Sequence, residues 1–287
     1  MFSNQRSEML TYKHDTQYPI GVFDSGVGGL TVLQEMHRQL PQESIIYFGD
    51  TARLPYGKRT QSEIIEYVRQ ILVWMQSQSV KMVIMACNTS SALALDVVRR
   101  EFDLPILGLI LPGARAAVQK GKRIGVIATT ATVNSGAYTQ AMLESCPQAE
   151  IWQVDCPEFV PLIESNRIND PYTLQIASEY LTPLLKAKID TLVFGCTHYP
   201  HLKDILRHIV PAHVRFIDPA KYVVKAAMQE LDILGLRHSE GRSAGNRNLT
   251  KFYVSGDPEQ FAQVSSRWLG KVPSVENVSL SPVELLS

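Results

Sequence analysis

Three things are scarce in this chain, and each scarcity excludes a class of protein. No apolar run approaches the roughly 20 residues that a membrane-spanning helix needs, which argues against a membrane partner. Charge of either sign is not in excess: Lys+Arg 28 stand against Asp+Glu 28 over 287 residues. There is thus no whole-chain field to draw the protein to nucleic acid or an anionic surface, and nucleic acid is not expected as a partner. Cysteine is sparse too. The four, Cys87, Cys146, Cys156 and Cys196, include no CxxC pair, so neither a disulfide framework nor a zinc ribbon is indicated, and a reducing, cytoplasmic setting fits best. The first eighteen residues lack the apolar core of a signal peptide and read as a flexible extension, so export is not expected.

What is present is an ordinary globular composition, 45% hydrophobic and 20% charged, with length enough for two domains. Short apolar β-branched runs alternate with segments of roughly 3.6-residue apolar spacing. A strand near Ile20 to Phe23 leads through DSGVGG to a helix with Leu30, Leu33, Met36 and Leu40 on one face. A strand ending at Gly49 and Asp50, a loop through Pro55, Tyr56 and Gly57, and a helix carrying Ile64, Val68, Ile71 and Met75 follow. MVIMACNTSS then predicts a strand ending at Cys87 and a helix from about Ser91 to Phe102; PILGLILPG predicts a fourth strand broken at Pro112-Gly113. A second series opens with RIGVIATTATVNSGAY and reaches TLVFGCTHYP, a strand ending at Cys196. Alternation of this kind implies parallel sheets joined by right-handed crossovers, so the fold class is α/β, with two similar domains facing each other across a cleft. The run KFYVSGDPEQFAQVSSRWLG adds one more strand and helix. Ahead of it, the polar loop with Arg237, Arg242 and Arg247 reads as solvated.

Ligands of open α/β sheets bind beyond the carboxyl ends of the strands, where Cys87 and Cys196 both stand. Each precedes a helix start, where N–H groups and the helix dipole are expected to lower a thiol pKa toward neutrality. Two such thiols suit either a redox pair or two acid–base groups acting on opposite faces of one stereocentre. Cys156, also at a strand end, is the runner-up, and Cys146 reads as structural. The glycines of DSGVGG admit close backbone approach to a small anion. They do not complete a dinucleotide fingerprint, since Thr31 stands where its third glycine belongs. Asp24 is either a helix cap or a carboxylate that tunes a thiol. His198 is a locally satisfied residue, an acid–base assistant, or one ligand of a C-x-H-x-x-H cluster with Cys196 and His201, which is a poor zinc signature. Glu164, in FVPLIES, taken alone is a solvated helix residue.

VFDSGVGGLTV, the Pro55-Tyr56-Gly57 loop, ACNTSSA, SGAY at Ser135 to Tyr138, FVPLIE, GCTHYPHL and YVSGDPEQF together resemble the glutamate racemases of the aspartate/glutamate racemase family, from about Pro19 to Gly270. The resemblance implies cofactor-independent, metal-free interconversion of L- and D-glutamate, supplying D-glutamate for peptidoglycan and so for the cell wall and cell shape. It implies an extension over residues 1–18, a first domain of residues 19–112 with 225–287 returning to it, and a second of residues 113–224. It implies that Cys87 takes the α-proton from D-glutamate and Cys196 from L-glutamate, with Asp24, Glu164 and His198 as auxiliary acid–base residues. The implied substrate-binding positions are Asp24, Ser25, Tyr56, Gly57, Asn88, Thr89, Thr197 and His198. A homodimer is a family expectation, and activation by UDP-N-acetylmuramoyl-L-alanine is suggested by the N-terminal extension. ATTATVNSGAY departs from the commoner family form, placing Ala131 at the expected cleft wall. Aspartate racemases share the two-cysteine logic but usually lack DSGVGGL.

Overall fold

The structure is a computed structural model and describes residues 15–238 and 249–281. Most of the expected N-terminal extension, and Arg242 and Arg247 of the polar loop, lie outside the described residues. The runs read as strands are buried at nearly every position where they form sheet centres, as parallel strands covered on both faces must be.

In chain order the elements are β1 (Ile20–Asp24), α1 (Leu30–Gln39), β2 (Ile45–Gly49), α2 (Gln61–Ser77), β3 (Met82–Met85), α3 (Asn88–Leu93), α4 (Leu95–Glu101) and β4 (Ile106–Gly108). Then come α5 (Ile110–Lys120), β5 (Arg123–Ala128), α6 (Thr130–Asn134), α7 (Ala137–Ser145), β6 (Glu150–Asp155), α8 (Phe159–Glu164), α9 (Pro171–Lys186) and β7 (Thr191–Gly195). Last are α10 (Lys203–Ile209), β8 (Arg215–Ile217), α11 (Pro219–Ile233), β9 (Thr250–Val254), α12 (Pro258–Leu269) and β10 (Val275–Asn277). Two parallel sheets result, ordered β10-β9-β2-β1-β3-β4 and β6-β5-β7-β8. The first pairs Ile20 with Ile45 and Met82, and the second pairs Ile124 with Ile151 and Thr191. β9 extends the first sheet beyond β2 by pairing Thr250 with Ile45, and β10 forms the edge outside it.

Each sheet is packed on both faces. One face of the first carries α1, α11 and α12 through Leu33, Val224 and Phe261; the other carries α2 and α4 through Ile64, Val68 and Val98, and its core includes Cys87. On the second sheet, α8 and α9 cover one face with Phe159, Leu181 and Leu184, in a core that includes Cys196. Its other face is covered by α5 and α7, with Ala114, Tyr138 and Met142. Trp268 of α12 packs against cores of both sheets. The start of α2 is fixed by a capping box in which Thr60 accepts from the Glu63 N–H and the Glu63 carboxylate accepts from the Thr60 N–H.

Two expectations need correction. The helix expected from about Ser91 begins at Asn88, directly after Cys87, and is broken at Ala94 into α3 and α4. Pro112-Gly113 does not break a strand: β4 ends at Gly108 and Pro112 lies in the first turn of α5. A proline is tolerated there because the N–H groups of a first turn have no intrahelical partner to lose. No helix among the described residues is long and apolar enough to cross a membrane.

Candidate active site

Strand β1 ends at Asp24, β3 delivers Cys87 and β7 delivers Cys196, so the carboxyl ends of both sheets meet at one cavity of about 550 Å³. Its wall includes all eleven residues singled out in the sequence: Asp24, Ser25, Tyr56, Gly57, Cys87, Asn88, Thr89, Glu164, Cys196, Thr197 and His198. Both thiols are nearly inaccessible, at 5% and 7% exposure for Cys87 and Cys196.

On the side of the first sheet, Asp24 is buried and accepts the Gly29 N–H at 2.5 Å, so it caps the glycine turn that leads into α1. The same carboxyl group interacts with the Cys87 thiol, so the cap and the thiol partner are one residue. Burial raises the pKa of Asp24, while the His198 charge, the N–H groups of Gly29 and Ser25 and the Cys87 hydrogen bond pull it back down. Cys87 is itself pushed up to about 12, first by burial and then by the neighbouring Asp24 charge. This reverses the expected lowering toward neutrality. The N–H of Ser90, at the start of α3, does favour the thiolate, but it is outweighed by loss of solvent and a facing carboxylate.

On the side of the second sheet, the His198 ring bridges two groups: Nδ1 lies 3.7 Å from Cys196 Sγ and Nε2 lies 3.0 Å from Glu164 Oε1. Burial opposes the imidazolium, but the hydrogen bonds and charges of Cys196 and Glu164 prevail and raise the His198 pKa well above its ordinary value. His201, by contrast, stacks on Trp268 at 4.4 Å, and burial beside His198 pushes its pKa down to about 4. The C-x-H-x-x-H spacing therefore does not gather three ligands, and among the described residues no cluster of three His, Cys, Asp or Glu is placed to hold a metal ion.

The remaining wall is made of small polar groups. Asn88 Oδ1 accepts the Tyr138 hydroxyl at 2.7 Å, which directs its amide nitrogen elsewhere; that Nδ2 is buried with no protein partner among the described residues. Thr89 Oγ1 lies 2.9 Å from Thr129 Oγ1 and 3.3 Å from Thr132 Oγ1, a hydroxyl bridge from α3 to the start of α6 on the other sheet. Tyr56 presents its ring and backbone, because its hydroxyl is donated to Asp50.

The profile of the family described as Asp/Glu/Hydantoin racemase matches residues 20–227. The chain belongs to that family. It is 64% identical over 261 residues to the glutamate racemase of Synechocystis sp., covering 91% of this chain and 92% of that one. The solved structure of the Francisella tularensis glutamate racemase in complex with D-glutamate matches at 35% identity and a TM-score of 0.85, over 93% of this chain and 99% of that one. The Escherichia coli glutamate racemase, solved with L-glutamate and the activator UDP-MurNAc-Ala, matches at 27% identity and a TM-score of 0.74, over 92% and 99%. The chain is thus an isomerase of the racemase type, with the two-sheet α/β fold of its relatives.

Within this family member the cavity has features the motifs did not reveal. Thr129 lines the wall, and the signal for it was available: it follows β5 directly, obeying the same strand-end rule that selected Cys87 and Cys196. Cys156, the runner-up thiol, also lines the cavity but is fully buried, and loss of solvent raises its pKa first of all, with Asp155 and Cys196 adding to the effect. Cys146 caps the end of α7 away from the cavity. Ala131 sits in the cavity wall, as its place in the departing ATTATVNSGAY segment implied.

Glu164→Gln tests the electrostatics directly. The raised His198 pKa means that the ring's charge contributes stability fully below the unfolded value near 6.5, and that this contribution fades as pH rises through the folded-state value. Removing the Glu164 charge should move the His198 titration, followed by ring-proton NMR, to lower pH and narrow that window from its upper end. A titration that stays in place would mean that Cys196 alone holds the imidazolium.

Proposed function

We propose that this enzyme interconverts L- and D-glutamate by a two-base proton transfer between Cys87 and Cys196, without a cofactor. One observation carries the reading: two strand-end thiols from different sheets, each with its own proton-handling partner, line a single cavity. The substrate class is supported by glutamate as the ligand named for two of the solved relatives.

From D-glutamate, Cys87 as thiolate takes the α-proton: the Cα–H bond breaks, an S–H bond forms, and the electron pair is left on the substrate as a carbanion delocalised into its α-carboxylate. Cys196 as thiol returns a proton to the opposite face, which inverts the centre. The reverse direction exchanges the roles. Burial and Asp24 keep Cys87 protonated at rest, so Asp24 serves as the acceptor through which this thiol is activated. His198, held by Glu164, exchanges a proton with Cys196. Ser25, Thr89, Thr197, the backbone at Tyr56 and Gly57, and the Asn88 amide provide donors suited to two carboxylates, and preorganised N–H groups of this kind stabilise charge that develops during reaction.

The proposal extends to a cytoplasmic role in supplying D-glutamate for peptidoglycan, to a homodimer, and to activation by UDP-N-acetylmuramoyl-L-alanine, the last supported by the activator named for the Escherichia coli relative. The deciding experiment is proton NMR of the EDTA-treated protein in D2O with D- and L-glutamate in separate samples. Deuterium entering the α-position of the enantiomer formed from either isomer is the expected result. No exchange with either isomer at high protein concentration, repeated with the muramoyl precursor present, would sink the reading.

A further inference from the structure

The tail motif YVSGDPEQF contributes no residue to the wall of the main cavity, yet it is tied to that wall by a continuous hydrogen-bonded path. Its Ser255 hydroxyl donates to Asp50 Oδ1 at 2.6 Å. The other oxygen, Asp50 Oδ2, accepts the Tyr56 hydroxyl, and Tyr56 with Gly57 forms part of the cavity wall. Asp50 is completely buried, with Arg53 at 3.4 Å as its cationic neighbour. Around it the two strand ends are stitched together: the Ala52 N–H donates to Ser255 Oγ at 3.0 Å, the Ser255 N–H to the Gly49 carbonyl at 3.1 Å, and the Gly256 N–H to Thr51 Oγ1 at 3.1 Å.

A buried carboxylate shared by two hydroxyl donors is costly unless both remain in place. Charge-assisted bonds to it are also stronger and more directional than neutral ones. Without them, the cavity loop would keep the packing of the Tyr56 ring beside Tyr67 and two turn bonds, Lys58 N–H to the Pro55 carbonyl at 3.4 Å and Arg59 N–H to the Tyr56 carbonyl at 3.0 Å, but nothing would fix the Tyr56 hydroxyl.

We infer that Asp50 and Ser255 are positioning residues for substrate binding: the returning C-terminal segment sets the place of Tyr56 and Gly57 through the Ser255–Asp50–Tyr56 path. The inference rests on the cavity being the glutamate site and names what holds one of its walls. It assigns the tail motif a task at a distance from the thiols. A defect should therefore appear in KM with kcat largely kept, since neither residue touches the reacting carbon.

Ser255→Ala and Asp50→Asn should be compared with the wild type and with Ser266→Ala, whose hydroxyl bonds only the Gln263 carbonyl within α12. Ser255→Ala is expected to raise KM for glutamate about fivefold and Asp50→Asn about tenfold, with kcat changed less than about twofold. Amide hydrogen exchange at Lys58 and Arg59 should speed up at least about fivefold in Ser255→Ala. This second measurement needs no substrate. If the wild-type protein does not turn over glutamate, the functional reading fails while the exchange data still decide this inference. Unchanged KM and unchanged exchange in Ser255→Ala, or a lower melting temperature with both unaltered, would show the path to be structural only and overturn the inference.

Discussion

Serine in place of Cys196 should lower racemisation by roughly 10³-fold or more in both directions, and serine in place of Cys87 should do the same. Positioned proton donors and acceptors supply about 10² to 10⁴ of rate, and a hydroxyl is a far weaker base than a thiolate. In the proposed two-base mechanism both thiols act in every turnover, each as base in one direction and as acid in the other, so neither variant should keep one direction intact. What survives should be one-sided. With Cys87 intact, Cys196→Ser should still wash the α-proton out of D-glutamate slowly with retention, and Cys87→Ser should do so from L-glutamate. The double variant should be scarcely worse than either single one, because residues that act as a unit are not additive. Both substitutions are near-isosteric within closed cores, so folding is retained and can be checked by circular dichroism. A single-serine variant that keeps more than about a tenth of wild-type turnover would remove that cysteine from the chemistry.

Gly28→Ala is expected to cost about 100-fold in kcat/KM without removing any titrating group. A methyl at position 28 would lie 2.6 Å from Thr197 Oγ1 and closer still to His198 Nδ1. Both neighbours are buried in the cavity wall, and His198 can yield only by disturbing its contacts with Cys196 and Glu164. The ring must shift, and a displacement of about 1 Å near the chemistry is enough for a loss of this size. Stability should fall by about 1–3 kcal/mol, the usual penalty of overpacking, which urea titration would measure. Full activity in Gly28→Ala would show that the glycine turn and the His198 segment part further than the structure indicates.

How far the sequence speaks for such a site can be judged residue by residue. Cys196 and Thr129 directly follow the last residue of an apolar strand and Cys87 stands two residues after one, and this single rule is sufficient to bring them together. The α/β class was legible for the same reason, because runs such as MVIM and TLVFG are nearly continuously apolar and short, as strands covered on both faces are. The direction of the Cys87 shift was not legible: helix starts are visible in a sequence, whereas burial and a facing Asp24 are products of packing. Tyr56 was found as a wall residue, but the fate of its hydroxyl was not, since Asp50 and Ser255 are 205 residues apart and meet only when β9 docks on β2. Pro112 misled because a proline breaks a helix interior but not a first turn, and the boundary between the two is settled by where β4 stops.

The two thiols are rooted in different hydrophobic cores, Cys87 in one under the first sheet and Cys196 in one under the second. Their separation is therefore fixed by the angle between two stiff bodies and not by any bond within one of them. A five-residue strand is about 17 Å long, so a tilt of about 4° at its far end moves its tip by about 1 Å, the scale on which proton transfer succeeds or fails. The contacts that hold this angle are those crossing between the sheets, Trp268 packed on both cores and the Thr89–Thr129 hydroxyl bridge. Substitutions that loosen those crossing contacts are therefore expected to change the spacing of the sulfur atoms while leaving each sheet folded.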